Sequence, residues 1–186
     1  EASTEDLESA LGEQTAAVAW IEAPFMKYPF TIEDGIATAH AADVPFIVDA
    51  AAEVPPIENL THYTKLGADM VTFSGGKGIG GPQDTGLLAG SRDLIAAAMR
   101  NSLSHGSPRA PVGRPAKVSK EAIAGLATAL ELFLESDHAR TWAGWRARGF
   151  LFGQEAQLRE RPRRSRSSAS ARAVLCAAPV LILQCF

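Results

Sequence analysis

Two side chains able to do chemistry follow the ends of two predicted strands. Asp49 closes the apolar run at 44–50, and Lys77 lies 28 residues further on, in the glycine-rich segment SGGKGIGG. Neighbouring parallel strands end at one edge of a sheet, so we expect a buried acid and a buried amine to face one crevice. Lysine forms imines with carbonyl compounds, and glycines let a flat or phosphorylated ligand approach the backbone closely.

These residue types match what pyridoxal 5′-phosphate needs, which is a lysine for its aldehyde, a carboxylate for its ring nitrogen and donors for its phosphate. Lys77 is the expected aldehyde partner, and Asp49 is expected to keep the ring nitrogen protonated. Ser74 is a candidate phosphate donor, together with backbone N–H groups of the glycine-rich segment. Ala51 and Ala52 are small enough to lie beside the ring.

Each of these residues also has a simpler interpretation. An aspartate at a strand end often caps a loop, and a lysine among glycines is often exposed or part of a phosphate-binding loop. The phosphate-binding spacing G-x-x-x-x-G-K-[ST] is not met, since Gly78 stands where serine or threonine is required. From the residues alone, the cofactor and the loop interpretations both remain open.

The elements that must position these residues alternate between strands and helices, which predicts a parallel sheet wrapped by helices. The predicted strands are 16–23, 44–50, 68–74 and 85–90, and the predicted helices are 4–12, 31–42, 58–67, 91–100 and 119–137. In the last helix, the residues assigned to the core are Leu126, Leu130, Phe133 and Leu134.

Composition places the chain among ordinary globular proteins, with 186 residues, 46% hydrophobic and 21% charged. The two cysteines, Cys176 and Cys185, are too close to the end to organise a disulfide framework, and the four histidines lack metal-ligand spacing, so no metal site is expected. We find no signal peptide and no apolar run long enough to span a membrane, and we therefore expect a cytoplasmic protein.

The charge is divided unevenly along the chain. Residues 1–139 carry 9 basic and 19 acidic side chains, whereas residues 140–186 carry 9 basic and 2 acidic ones. Such a break indicates a tail that is foreign to the folding unit, through a frameshift or truncation, or an arginine-rich arm that binds RNA. We favour the first explanation, because the preceding part of the chain is acidic.

Three segments closely resemble fold-type I (aspartate aminotransferase-like) pyridoxal-phosphate enzymes of the selenocysteine synthase, or L-seryl-tRNA selenium transferase, group. They are IVDAAAEVPP at 47–56, GADMVTFSGGKGIGGPQDTGLLAG at 67–90 and GRPAKVSKEAI at 113–123. The group includes D-glucosaminate-6-phosphate ammonia-lyase-like proteins. The resemblance runs from about residue 4 to residue 148, and its most specific part is FSGGK-x-x-x-GPQ-x-x-G.

The resemblance implies roles for individual residues. Lys77 corresponds to the Schiff-base lysine and Asp49 to the partner of the pyridinium nitrogen. Gln83 is similar to a residue near the cofactor at the dimer interface. Arg114 and Lys117 match a basic motif that we assign to the substrate's anionic group.

The resemblance also implies an α/β fold divided into parts. Residues 1–110 are expected to be part of the large cofactor-binding domain, and residues 111–148 the start of the small C-terminal domain. Residues 149–186 are expected to be an atypical, disordered or frameshifted tail. Members of the group are longer, so we expect the part that cups the cofactor phosphate to be missing here.

The implied function is a lyase or transferase, similar to selenium transferases, that acts at the α- and β-carbons of a small amino-acid or amino-sugar-acid substrate. The full-length form is expected to be a homodimer or a higher homo-oligomer. Two alternatives remain, a non-catalytic remnant without a complete cofactor pocket and a tRNA-dependent conversion of a seryl to a selenocysteinyl group.

Overall fold

The computed structural model describes residues 3–102, 112–159 and 181–182. These residues belong to two compact units, one reaching residue 134 and including 181–182, the other starting at Glu135. The elements in chain order are α1 (Thr4–Ala10), β1 (Val18–Ile21), α2 (Ile32–Ala41), β2 (Phe46–Asp49), α3 (Asn59–Leu66), β3 (Met70–Ser74), β4 (Gly86–Gly90), α4 (Arg92–Asn101), a short 3-10 helix (Arg114–Ala116), α5 (Lys120–Glu135), α6 (His138–Arg159) and β5 (Leu181–Ile182).

The first unit contains a mixed sheet in the order β1-β2-β3-β4-β5. β1, β2 and β3 are parallel, whereas β4 is antiparallel to β3, and the short β5 is parallel to β4. The α/β class is confirmed, but the prediction of an all-parallel sheet is wrong. Residues 75–85, between β3 and β4, contain no helix, and a parallel crossover usually needs one, so the chain turns back beside β3.

Helices α2 and α3 connect the parallel strands and bury one face of the sheet. α2 begins with a reciprocal cap in which the Thr31 hydroxyl accepts from the Asp34 N–H and the Asp34 carboxylate accepts from the Thr31 N–H. α3 ends at Gly67, whose φ of 111° is in the left-handed region that glycine favours. The core between them is built mainly from buried apolar side chains of α2, β1, β2 and β3, including Trp20, Ile36, Ala39, Phe46, Val48, Val71 and Phe73.

Helix α5 adds a further part of the core. Leu126 and Phe133 are buried, and Leu130 packs partly against the same cluster. Leu134, also predicted to be core, is 49% exposed. It lies eight residues beyond Leu126, which is about 80° around the helix at 3.6 residues per turn, so it falls outside the buried stripe.

The second unit contains helix α6, which continues through Arg159 and therefore into the range predicted to be an irregular tail. Trp142 and Trp145 lie on this helix with ring centroids 5.7 Å apart, and both are about half exposed. Residues 160–180 and 183–186, which hold most of the arginine-rich stretch, lie outside the described residues. The domain boundaries drawn at 110 and 148 stay predictions.

Among the residues that the structure describes, no helix combines the length and the apolar character that a membrane span requires.

Asp69 ties three elements together at the end of the sheet where β2 and β3 begin. One carboxylate oxygen accepts from the Phe46 N–H and contacts Nε2 of His40, each across 2.8 Å. Burial by itself would raise the pKa of Asp69, but these hydrogen bonds outweigh it and lower the pKa below the ordinary 3.8. The ionised form of Asp69 therefore stabilises the fold.

We expect Asp69→Asn to lower the melting temperature at pH 7 by about 3–12 °C, because a hydrogen bond to a charged group contributes about 1.5–3 kcal/mol and each kcal/mol shifts the melting temperature by about 2–4 °C in a chain of this size. Because the pKa of Asp69 is lowered, its carboxylate stabilises the fold at a pH above the ordinary pKa of 3.8, and this contribution disappears as the pH falls through the pKa of the folded state. The difference in melting temperature between the two proteins should therefore disappear in strong acid, as measured by thermal unfolding across pH. The control is Asp43→Asn, because Asp43 is exposed with a φ of 57° that asparagine also tolerates.

Candidate active site

The parallel strands β1, β2 and β3 end at one edge of the sheet, which we call the C-terminal edge. Asp49, the last residue of β2, pairs in register with Ile21 on one side and Thr72 on the other. Just beyond, the Ser74 N–H donates to the Ala51 carbonyl oxygen across 3.3 Å. Three residues predicted to bind the cofactor, Asp49, Ala51 and Ser74, are thus brought to neighbouring positions.

Residues 75–85 form a loop between β3 and β4, here called the glycine loop, that closes on itself. The Gly81 N–H donates to the Gly75 carbonyl oxygen across 2.7 Å, and the Gly75 N–H donates to the Thr85 carbonyl oxygen across 2.9 Å. Gly80 has a φ of 77° and open space where a Cβ would lie, a conformation that glycine adopts at little steric cost. The loop is thus a compact turn with a defined backbone.

The glycine loop packs against the turn that follows Asp49. A Cβ on Gly78 would collide with the carbonyl oxygen of Val54, so only glycine lets the two backbones come this close. Ile79 and Val54 are both buried in the core. The backbone beside Lys77 is therefore held by packing at the edge where Asp49 ends its strand, while the lysine side chain is exposed.

The expectation that the acid and the amine are both buried is wrong. Asp49 and Lys77 are both exposed, because Asp49 is the last residue of β2 and Lys77 lies in the loop after β3, and neither side chain joins the buried core. Oδ1 of Asp49 accepts from the Ala51 N–H across 3.0 Å, which orients the carboxylate and leaves Oδ2 available. Both groups are accessible to a ligand at the C-terminal edge.

The three remaining predicted residues lie on the glycine loop and at the short 3-10 helix. Gln83 supports the glycine loop, since its Nε2 donates to the Gly76 carbonyl oxygen across 2.9 Å. Arg114 and Lys117 lie in and directly after the short 3-10 helix, and both are exposed. Contact of Gln83 with a cofactor, and of the two basic residues with a substrate anion, stay predictions.

Two carboxylates that sequence reasoning missed also lie at this edge. Glu22 directly follows β1, and its Oε2 accepts from the Trp20 indole N–H across 2.8 Å. Glu53 lies in the turn after Asp49, and its Oε1 is buried without a hydrogen-bond partner. Burial and then the charge of Glu22 raise the pKa of Glu53, while the charge of Lys77 acts in the opposite direction.

Tyr63 of α3 belongs to the same electrostatic cluster. Its side chain is buried, and burial followed by the charges of Glu22 and Glu53 raises the pKa of the phenol. Searching the end of every predicted strand for polar residues would have found Glu22, as it found Asp49. Glu53 and Tyr63 carry no such local signal, because tertiary packing brings them together.

The sheet defines an α/β protein with a candidate ligand site at the ends of its parallel strands, and comparison with known proteins identifies the family. The family model described as L-seryl-tRNA selenium transferase (SelA) matches residues 40–175. The chain therefore belongs to the L-seryl-tRNA selenium transferase family, which confirms the resemblance seen in the sequence.

Individual relatives carry more than one kind of activity in their names. D-glucosaminate-6-phosphate ammonia lyase of Salmonella typhimurium is 36% identical over 127 residues, which is 67% of this chain and 31% of that protein. L-seryl-tRNA(Sec) selenium transferase of Nitratidesulfovibrio vulgaris is 28% identical over 149 residues, which is 73% of this chain and 30% of that protein.

A solved structure of D-glucosaminate-6-phosphate ammonia-lyase matches this fold with a TM-score of 0.60 and 32% identity. The match covers 73% of this chain and 34% of that one. The fold is thus part of the fold of that enzyme, and the chain spans about a third of the length of the relatives it matches.

We expect Gly78→Ala to destabilise the chain by about 1–3 kcal/mol, the usual cost of forcing extra volume into a packed site. The added methyl group must displace the Val54 backbone rather than a flexible side-chain end. Urea unfolding measures the change. In the control Gly12→Ala, the added Cβ meets nothing within 4 Å, and a loss of stability as large as that of Gly78→Ala would contradict this account of the loop.

Glu53→Gln is expected to stabilise the chain at neutral pH. The raised pKa of Glu53 means that the folded chain favours the protonated acid over the carboxylate. The protonated acid therefore adds to the free energy of unfolding at a pH below the ordinary pKa of 4.5, and this contribution is lost as the pH rises through the pKa of the folded state. Glutamine resembles the protonated acid at every pH. The melting temperature of the variant should exceed that of the original chain at pH 7 and equal it near pH 4, whereas Glu58→Gln at an exposed site should show no such difference.

Proposed function

We propose that the chain is part of a pyridoxal 5′-phosphate-dependent lyase or transferase acting at the α- and β-carbons of an amino-acid or amino-sugar-acid substrate. The observation that carries the proposal is the arrangement at the C-terminal edge, where the turn after Asp49 and the loop bearing Lys77 pack together through Gly78 and Val54. Similarity to a lyase and a transferase supports the same reaction class.

The residues at this edge fit the cofactor. Lys77 offers an exposed amine for its aldehyde, and the accessible Oδ2 of Asp49 offers an acceptor for its ring N–H. The glycine loop presents backbone to a ligand, with open space at Gly80. Ser74, half-buried at the end of β3, offers a hydroxyl donor to the phosphate, and Ala51 leaves room beside the ring.

The proposed mechanism assigns one task to each side chain. Bound pyridoxal phosphate supplies an electron sink for negative charge at the substrate α-carbon. Asp49 accepts a hydrogen bond from the ring N–H and so keeps that nitrogen protonated. Lys77 would hold the cofactor aldehyde through its amine, and once the substrate amine had replaced it there, the released Lys77 amine would take the proton from the substrate α-carbon as general base.

Specificity is proposed to come from residues around this centre. Arg114 and Lys117 bind the anionic group of the substrate, and Gln83 lies near the cofactor where a second subunit completes the site. We therefore propose that the full-length form is a homodimer or a higher homo-oligomer. A small amino substrate is favoured over tRNA because residues 1–139, with 19 acidic and 9 basic side chains, would repel a nucleic acid.

Two alternatives to this proposal differ in kind. A tRNA-dependent conversion of a seryl to a selenocysteinyl group is favoured by the family match. A non-catalytic remnant is distinguished from the main proposal by the labelling experiment below. Weak or no turnover by this chain alone is expected under either alternative and under the main proposal.

We expect pyridoxal phosphate followed by borohydride to label Lys77 several-fold more than Lys27, Lys65, Lys117 and Lys120, as read by peptide mass spectrometry. Asp49→Ala should weaken labelling about tenfold, the effect of losing one charge-assisted hydrogen bond. Asp84→Ala is the matched control, because Asp84 is an exposed acid of the same loop region. Equal labelling of all five lysines would contradict the proposed site and favour the remnant.

A further inference from the structure

Glu53 is an acceptor that lacks a donor. Its backbone is fully used, since its N–H donates to the Ala50 carbonyl oxygen across 3.0 Å and its carbonyl oxygen accepts from Asn59 Nδ2 across 2.6 Å. These bonds hold the backbone of the residue in place, and its buried Oε1 lacks a hydrogen-bond partner. A buried carboxylate oxygen without a donor costs free energy, which a nearby cation can recover.

Lys77 is the cation best placed to donate a hydrogen bond to this oxygen. Among the described residues, the ion pairs within 4 Å are His40–Asp69 and Lys120–Glu121, so the Lys77 ammonium is exposed and unpaired. Its loop packs on Val54, the residue after Glu53, and its charge already acts on the Glu53 carboxyl. A lysine ammonium on its four-carbon stem can change position by rotation of single bonds.

The other titratable groups around Glu53 make a nearby cation more favourable, because none of them supplies positive charge. Glu22 adds a second negative charge, and its Oε2 is already occupied by the Trp20 indole. Tyr63 is buried beside both acids, with its pKa raised, so it contributes no positive charge. Lys77 is the cation that acts on this cluster within the described residues.

We propose that Glu53 is a positioning residue whose carboxylate accepts the Lys77 ammonium in a second side-chain position, which the lysine leaves for the exposed position seen in the structure. The lysine then alternates between Glu53, on the helix-covered side of the edge, and the ligand site beside Asp49. This proposal deepens the proposed function and rests on it only in taking Lys77 as the reactive amine.

The test measures acylation of each lysine in the full chain by N-acetoxysuccinimide at pH 8, without cofactor, by peptide mass spectrometry. The ratio of the Lys77 rate to the Lys65 rate removes differences between preparations. In Glu53→Gln we expect this ratio to rise about threefold or more, because a nearby carboxylate favours the unreactive ammonium. In Glu58→Gln, a matched change at an exposed glutamate, the ratio should stay unchanged.

An unchanged or lower ratio in folded Glu53→Gln would overturn the proposal, since a purely structural role for Glu53 would leave the lysine's relative reactivity as it was. If that variant does not fold, Glu53→Asp withdraws the carboxylate by one methylene and should still raise the ratio. If folded Glu53→Asp has the same ratio of Lys77 to Lys65 acylation as the original chain, the proposal is overturned. Because acylation needs no cofactor, a failure of pyridoxal phosphate labelling leaves this test intact, and the two proposals fail separately.

Discussion

The structure of the candidate site depends on one close contact between backbones, that of Gly78 with the carbonyl group of Val54. Without a side chain at position 78, the glycine loop can lie directly on the turn that follows β2. The buried side chains of Ile79 and Val54 then anchor both segments in the core. Lys77 is thereby held on a fixed backbone although its side chain is exposed, a combination that suits the reactive amine proposed above.

The electrostatics of this edge are unbalanced. Asp49, Glu22 and Glu53 bring three carboxyl groups to the ends of the parallel strands, and Lys77 is the basic side chain on the adjoining loop. The acids have different environments, since Asp49 is exposed whereas Glu53 has a buried oxygen and a raised pKa. Environment, rather than residue type, therefore separates an acid available to a ligand from one that lacks a partner.

Sequence reasoning found the candidate site because it used a rule that the backbone enforces. Parallel strands deliver their last residues to one edge, so Asp49 and the residues after Ser74 could be placed together from the apolar runs alone. The same reasoning failed for β4, because an apolar strand has the same pattern in either direction. It also failed for Leu134, whose spacing differs from that of Phe133 by one residue and about 100° around the helix.

The sequence by itself determined the order of strands and α-helices from α1 to α5, the helix ends at Thr31 and Gly67, the family, and the positions of Asp49 and Lys77 at and after strand ends. Each of these depends on residue types at short spacing, which local backbone geometry converts directly into structure. Only the tertiary structure decided the reversal of β4, the exposure of Asp49 and Lys77, and the meeting of Glu22, Glu53 and Tyr63. These depend on which surfaces pack against each other, and packing joins residues whose separation along the chain carries no periodic signal.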